Sequence, residues 1–134
     1  MLKLSKKAEY AIMAVRYMAL TKSCVTAKEV ASAYAIPYEL LTKILQQLVK
    51  FNIIRSYQGV KGGYSLTKDP DEINLKDVIN AIDPGYRIIE CMKTNRDKFE
   101  ECSLTEYCTV KGPLIKLQNE IDKLFEKTTI MQII

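Results

Sequence analysis

Three of the four cysteines in this 134-residue chain fall in one irregular stretch, as Cys91, Cys102 and Cys108, with ten and then five residues between them. Clustered thiols in a reducing compartment hold metal or do redox work more often than they form structural disulfides. Three converging thiolates can hold an iron–sulfur cluster or a zinc ion. The spacing lacks the C-x2-C pairs of zinc ribbons and ferredoxins, so on its own it leaves metal binding open. Cys24 stands apart, before a helix, and reads as a small buried hydrophobe. The chain has no histidine, which removes histidine acid–base catalysis and imidazole ligation. There is no glycine-rich phosphate loop ahead of a helix and no arrangement of a catalytic triad. The sequence argues against an enzyme.

A second set of residues has the chemistry of nucleic-acid contact. From Pro37 to Lys50, Leu41, Ile44, Leu45 and Leu48 recur at i, i+3, i+4 and i+7, the spacing of a buried helix face. Glu39, Thr42, Lys43, Gln46 and Lys50 share the other face, with Tyr38 at its start. Such a face can offer donors and acceptors to base edges in a major groove. An ordinary solvated face would have a similar composition, so the neighbouring elements decide. Tyr38, Glu39, Thr42 and Lys43 are the candidate readers, and Glu39 can accept from a cytosine amino group. Gln58 and Lys61, beside a cluster of glycines, and Lys6 and Lys7, near the start of the chain, are the candidate phosphate or minor-groove contacts. Surface lysines need no partner, and that is the competing reading for Lys6 and Lys7.

The elements that would position these residues are legible. Ser5 suits the N-cap of a helix running to Leu20, with Ala8, Ile12, Val15 and Ala19 on one face. Ala11, Ala14 and Met18 widen the apolar surface, which predicts packing on two sides, against its own domain and against something else. Glu9 is an acid in an apolar run, where the helix dipole favours it near the N-terminus. Thr26 and Glu29 form a capping box for the next helix. Pro37 suits the first position of the candidate recognition helix. Ile53–Tyr57 is β-prone, and Tyr64–Leu66 can return antiparallel to it. Between them lie three of the five glycines, Gly59, Gly62 and Gly63, where positive φ is expected. Helix, turn, helix and basic hairpin describe a winged helix-turn-helix. Asn74 can cap a helix from Leu75 to Ile82. Gly112-Pro113 opens a last helix whose Leu114, Leu117, Ile121 and Leu124 follow the a/d spacing of a coiled-coil seam. A partner's identical helix is the expected cover for that stripe, because helix-turn-helix proteins bind paired half-sites as dimers.

Charge follows the same division. Residues 1–68 carry eleven Lys/Arg against three Asp/Glu, a net +8, and residues 69–134 carry nine against thirteen, a net −4, making up the chain's +4. Nucleic acid is therefore expected at one end only. No run of 18 apolar residues is present and no signal-peptide core follows the first residues, so a cytoplasmic protein with no membrane contact is expected. The fold class is mainly α with a small β-hairpin. Residues 1–83 form the winged helix-turn-helix with a linking helix, 84–109 the cysteine-rich loop, and 110–134 the dimerisation helix and tail.

Several motifs together resemble a known family. They are Leu4-Ser5-Lys6 with Tyr10-Ala11, Ala35-Ile36-Pro37, Gly59-x-x-Gly62-Gly63-Tyr64-x-Leu66, and Val78-Ile79-x-Ala81-Ile82-Asp83, followed by the three-cysteine loop and long helix. The chain resembles, over nearly its whole length, the IscR/NsrR/CymR family of bacterial winged-helix transcription regulators. The resemblance implies a homodimer with crossing C-terminal helices on a palindromic operator in double-stranded DNA. It also implies an iron–sulfur cluster, 2Fe–2S or 4Fe–4S, on Cys91, Cys102 and Cys108, sensing redox state, nitric oxide or iron–sulfur status. The gap from Cys91 to Cys102 is longer than is usual in the family. The family's fourth ligand is a histidine in one branch, near whose place Lys111 stands here. In the nitric-oxide branch it is an acid in the first helix of the other subunit, and Glu9 matches that position. A cluster-free regulator of the CymR kind, controlled by a protein partner, is the alternative within the family. A zinc- or disulfide-switched interaction protein is the alternative outside it.

Overall fold

The computed structural model describes residues 3–60, 62–84 and 111–134. It consists of α1 (Lys6–Thr21), α2 (Ala27–Tyr34), α3 (Tyr38–Lys50), a hairpin of β1 (Ile54–Tyr57) and β2 (Gly63–Leu66), α4 (Leu75–Ile82), α5 (Lys111–Lys127) and a 3-10 turn (Ile130–Ile133). This is the mainly helical, winged architecture read from the sequence.

Short polar side chains set the helix starts. Ser5 Oγ accepts from the Ala8 amide at 3.1 Å, Thr26 Oγ1 from Glu29 at 3.1 Å, and Asn74 Oδ1 from Asp77 at 2.9 Å. Each satisfies a donor that has no partner within its helix. Pro37 lies one residue earlier than expected: it is the N-cap of α3, without a side-chain cap, and its carbonyl accepts from Leu41 at 3.0 Å. The α2–α3 turn is made by Ala35 in the left-handed region, at φ 53°. Asn52, at φ 61°, turns the chain from α3 into the hairpin, a conformation asparagine tolerates better than most residues.

The core lies between α1, α3 and α4. Ala8, Ala11, Ala14, Val15, Met18 and Ala19 form the buried face of α1, and the four alanines let other elements approach closely. α1 packs against α3, α4, β2 and the 3-10 turn, so its second side is also covered by its own chain. Leu41, Ile44, Leu45 and Leu48 of α3 are 0–2% exposed, as their spacing requires.

Glycine fixes the hairpin in two ways. Gly59 has φ 105°. At Gly62 a Cβ would lie 2.7 Å from the Tyr57 carbonyl oxygen and 2.8 Å from that of Gly59. Gly63 runs so close to Val25 that a Cβ would overlap the Val25 carbonyl. That approach is an isolated bridge, with Val25 donating to the Tyr64 carbonyl at 2.9 Å and Tyr64 donating back at 2.7 Å. The bridge also corrects the reading of Cys24. Val25 takes the inward position at 0% exposure, alternation along the extended segment turns its neighbour outward, and Cys24 is exposed.

The end of the described chain folds back on the domain. The Leu75 amide donates to the Thr128 carbonyl at 2.9 Å, the Ile130 amide to Ile73 at 2.9 Å, and Arg16 Nε to the Ile133 carbonyl at 3.0 Å. Lys76 pairs with Glu126 at 2.5 Å across α4 and α5; the contact holds the Lys76 ammonium above and the Glu126 carboxyl below their ordinary ranges. Ile130 is fully buried, whereas Met131 is half exposed. Ile130→Ala is therefore expected to cost about 2–5 kcal/mol in urea unfolding, and Met131→Ala less than about 0.5 kcal/mol. Equal effects would show that the turn is not part of the core.

Candidate nucleic-acid interface

The buried stripe of α3 turns Tyr38, Glu39 and Lys43 to the surface, with Tyr38 57% exposed and Thr42 half-buried beside them. The four expected readers thus share the outward face of the first two turns. Thr42 carries a restriction that sequence does not reveal. Its hydroxyl donates to the Tyr38 carbonyl at 2.8 Å, four residues back. The proton is used, and the side chain is left with a methyl group and acceptor lone pairs to present. A methyl group suits the thymine methyl, and a lone pair suits an exocyclic amino group.

The hairpin grows directly from the end of α3. Its register pairs Ile54 with Leu66, Arg55 with Ser65, Ser56 with Tyr64 and Tyr57 with Gly63. Ile54 is buried, while Arg55, Ser56, Tyr57, Gln58, Gly59 and Val60 are exposed. Gln58 thus lies on the exposed arm leading to the tip; Lys61 falls outside the described residues. Arg55 is an exposed cation that the sequence reading leaves out. Its signal is available there, because it follows the apolar pair Ile53-Ile54 and must emerge on the solvent side.

Lys7 is exposed at the start of α1. Lys6 is exposed too, but it is engaged: its Nζ lies 3.1 Å from Glu9 Oε2 and 5.5 Å from the centre of the Tyr10 ring. The Glu9 carboxylate, with Tyr10 beside it, holds the Lys6 ammonium above its ordinary range. Two residues singled out for different chemistry, Lys6 for phosphate and Glu9 for metal, are therefore partners here. The pair is solvated and easily exchanged for other partners.

One further contact joins this region to the rest. The Ser5 hydroxyl, while capping α1, donates to Asp83 Oδ2 at 2.5 Å. Asp83 is the C-cap of α4, just ahead of the cysteine-rich stretch. The start of α1 and the end of α4 are thereby fastened together. Cys91, Cys102 and Cys108 lie outside the described residues, and among the described residues no three His, Cys, Asp or Glu side chains converge. Among those residues, too, no helix is long and apolar enough to cross a membrane.

On α5, Leu117 is 42% and Leu124 61% exposed, Leu114 and Ile121 are half-buried, and Ile115 adds to the uncovered surface. The C-terminal end of α5 is fastened to α4, but the apolar stripe is not fully covered by the described residues.

A winged helix-turn-helix with an outward polar helix face defines a DNA-binding protein class, and comparison with known proteins agrees. Residues 4–134 match the Rrf2 family, described as an iron-dependent transcriptional regulator. A helix-turn-helix transcriptional regulator of Aquifex aeolicus is 31% identical over 97% of this chain and 90% of its own. The regulator NsrR of Shouchella clausii is 29% identical over 99% and 89%. Among solved structures, CymR (YrzC), the global cysteine regulator of B. subtilis, superposes with a TM-score of 0.75 at 21% identity, over 99% of this chain and 96% of that one. The chain belongs to the Rrf2 family of transcriptional regulators. It is a DNA-binding regulator and not an enzyme.

The Thr42 geometry yields a direct test. Thr42→Val keeps the methyl group and Thr42→Ser keeps the hydroxyl. If the methyl meets a thymine, the valine variant retains the parent's preference at that base pair. The serine variant then loses discrimination by about tenfold, near the low end of a base contact. Competition binding with a duplex substituted at each position reads this out. The opposite order would assign the contact to the lone pairs.

Proposed function

We propose that this regulator is a homodimer that reads a palindromic operator with α3 and the hairpin, and whose DNA affinity responds to an iron–sulfur cluster held by Cys91, Cys102, Cys108 and Glu9. The observation that carries the DNA reading is the continuity of the outward α3 face, Tyr38, Glu39, Thr42 and Lys43, with a hairpin whose first strand, from Ile54, follows closely on the helix end at Lys50. Lys61, Gln58, Lys6 and Lys7 supply phosphate or minor-groove contacts around it. Removal of a phosphate-contacting lysine weakens binding to all sequences and lowers the slope of affinity against salt by about one. Lys61→Ala is expected to do both, measured by titration at several salt concentrations. An unchanged slope would remove Lys61 from the interface.

The donor set suits iron. Three thiols are soft ligands, and a carboxylate is a harder one that leaves the fourth position more labile. Glu9 supports this part of the reading by its placement: its carboxylate is solvent-accessible, with the side chain 46% exposed and held by an exchangeable pair with Lys6. When bound, the cluster supplies a centre reactive toward oxidants or nitric oxide. The chain's own part is mechanical and electrostatic. α1 carries Glu9 and packs on α3, so a force on Glu9 reaches the recognition helix. A Glu9 carboxylate withdrawn from Lys6 also leaves that ammonium free for phosphate. Glu9 of one protomer would complete its partner's site.

Anaerobic reconstitution tests the donor set. Cys108→Ala should hold no cluster, and Glu9→Ala should hold one with altered absorbance and faster decay. A Glu9→Ala protein that matches the parent in spectrum and decay would exclude Glu9. A parent that takes up no iron would favour the cluster-free reading, with zinc found or absent by metal analysis.

The exposed stripe on α5 supports the dimer. Burying a leucine is worth about 1.5–3 kcal/mol, so Leu117→Lys with Leu124→Lys should give monomers in sedimentation. A double variant that still sediments as a dimer would place the interface elsewhere.

A further inference from the structure

The tip of the hairpin holds the most exposed large apolar side chain among the described residues. Val60 is 106% exposed, whereas the other exposed large apolar side chains range from 38% to 61%. Each of the others rests part of its surface on the protein; Val60 rests none. Turn chemistry does not call for it, because these positions favour Gly, Asn, Asp and Ser, whose conformations or side-chain hydrogen bonds help the chain reverse. A β-branched apolar residue at the apex gains nothing from the turn and nothing from burial.

The apex is also held in shape. The Gly62 amide donates to the Gly59 carbonyl at 2.9 Å, closing the turn around Val60. Gly59 supplies the positive φ, and the space at Gly62 is too tight for a side chain. Below the turn, Tyr57 pairs with Gly63, and Gly63 is pressed against Val25 of the domain. The hairpin is therefore braced at its base and closed at its tip, and it points a bare isopropyl group into solvent. Lys61 follows it in sequence.

We propose that Val60 makes an apolar contact inside the minor groove of duplex DNA, against sugar edges. The proposal rests on the DNA reading of α3 and the hairpin and assigns their tip a residue and a chemistry. Proteins that enter the minor groove commonly place apolar side chains there. Val60 would add affinity that depends on groove width and carries no charge. It should therefore respond to salt differently from every lysine of the interface.

The test uses the full-length protein and a duplex that the parent enriches from randomised DNA. Val60→Ser removes the apolar surface, Val60→Leu keeps it, and both should fold as the parent does because the site is fully exposed. Val60→Ser should bind about five- to tenfold more weakly at every salt concentration, with the parent's slope of affinity against salt. Val60→Leu should restore the affinity to within about twofold. Netropsin, which occupies the minor groove, should reduce parent binding and shrink the difference between parent and Val60→Ser. Unchanged affinity in Val60→Ser, or a deficit that netropsin leaves intact, would overturn the contact. A parent that enriches no duplex would instead defeat the DNA reading of the whole interface and this contact with it.

Discussion

The burial of Leu41, Ile44, Leu45 and Leu48 is the constraint on which the functional face depends. Each is 2% exposed or less. Rotating α3 by even one residue position would bring polar groups into a core with no partners for them and turn leucines outward. At about 1.5–3 kcal/mol for each large apolar side chain, four anchors outweigh any local preference of the helix. The orientation of Tyr38, Glu39, Thr42 and Lys43 follows from apolar burial and not from any contact those residues make themselves. A polar helix face fixed in this way can change its residues at little cost to stability.

α1 serves both ends of the regulator. Its alanine-rich face lets α3 and α4 pack closely, and its exposed first turn carries Lys6, Lys7 and Glu9. Ser5 caps the helix and grips Asp83 at the end of α4. Arg16, further along, holds the carbonyl of Ile133. The element that would sense a change at Glu9 is therefore packed directly on the element that would read DNA. No separate chain of residues is needed to connect them. A shift of α1 must be accommodated by α3, by α4 or by the 3-10 turn.

Much of this is legible in the sequence because it is local. The α3 stripe is set by residues three and four apart. Ser5, Thr26 and Asn74 cap helices through donors three residues away. The contacts that sequence does not disclose join distant positions: Val25 to Tyr64, Ser5 to Asp83, Arg16 to Ile133. Cys24 shows the consequence. Its residue type suggests burial, but the Val25 bridge gives its neighbour the inward place. Gly62 shows another: a side chain there would meet the carbonyl oxygens of Tyr57 and Gly59. Thr42 lies on the outward face, as its spacing indicates, yet its hydroxyl is committed to the helix backbone.

In the proposed regulator a dimer reads duplex DNA through two copies of α3. Enrichment of bound fragments from a randomised duplex pool, followed by sequencing, addresses both halves of it at once. Two copies of one recognition helix related by a two-fold axis require two inverted half-sites, separated centre to centre by one helical turn or a multiple of it. Such an inverted repeat is the expected result. A single unpaired site would contradict the dimer, and a pool that shows no enriched sequence would contradict specific reading by α3.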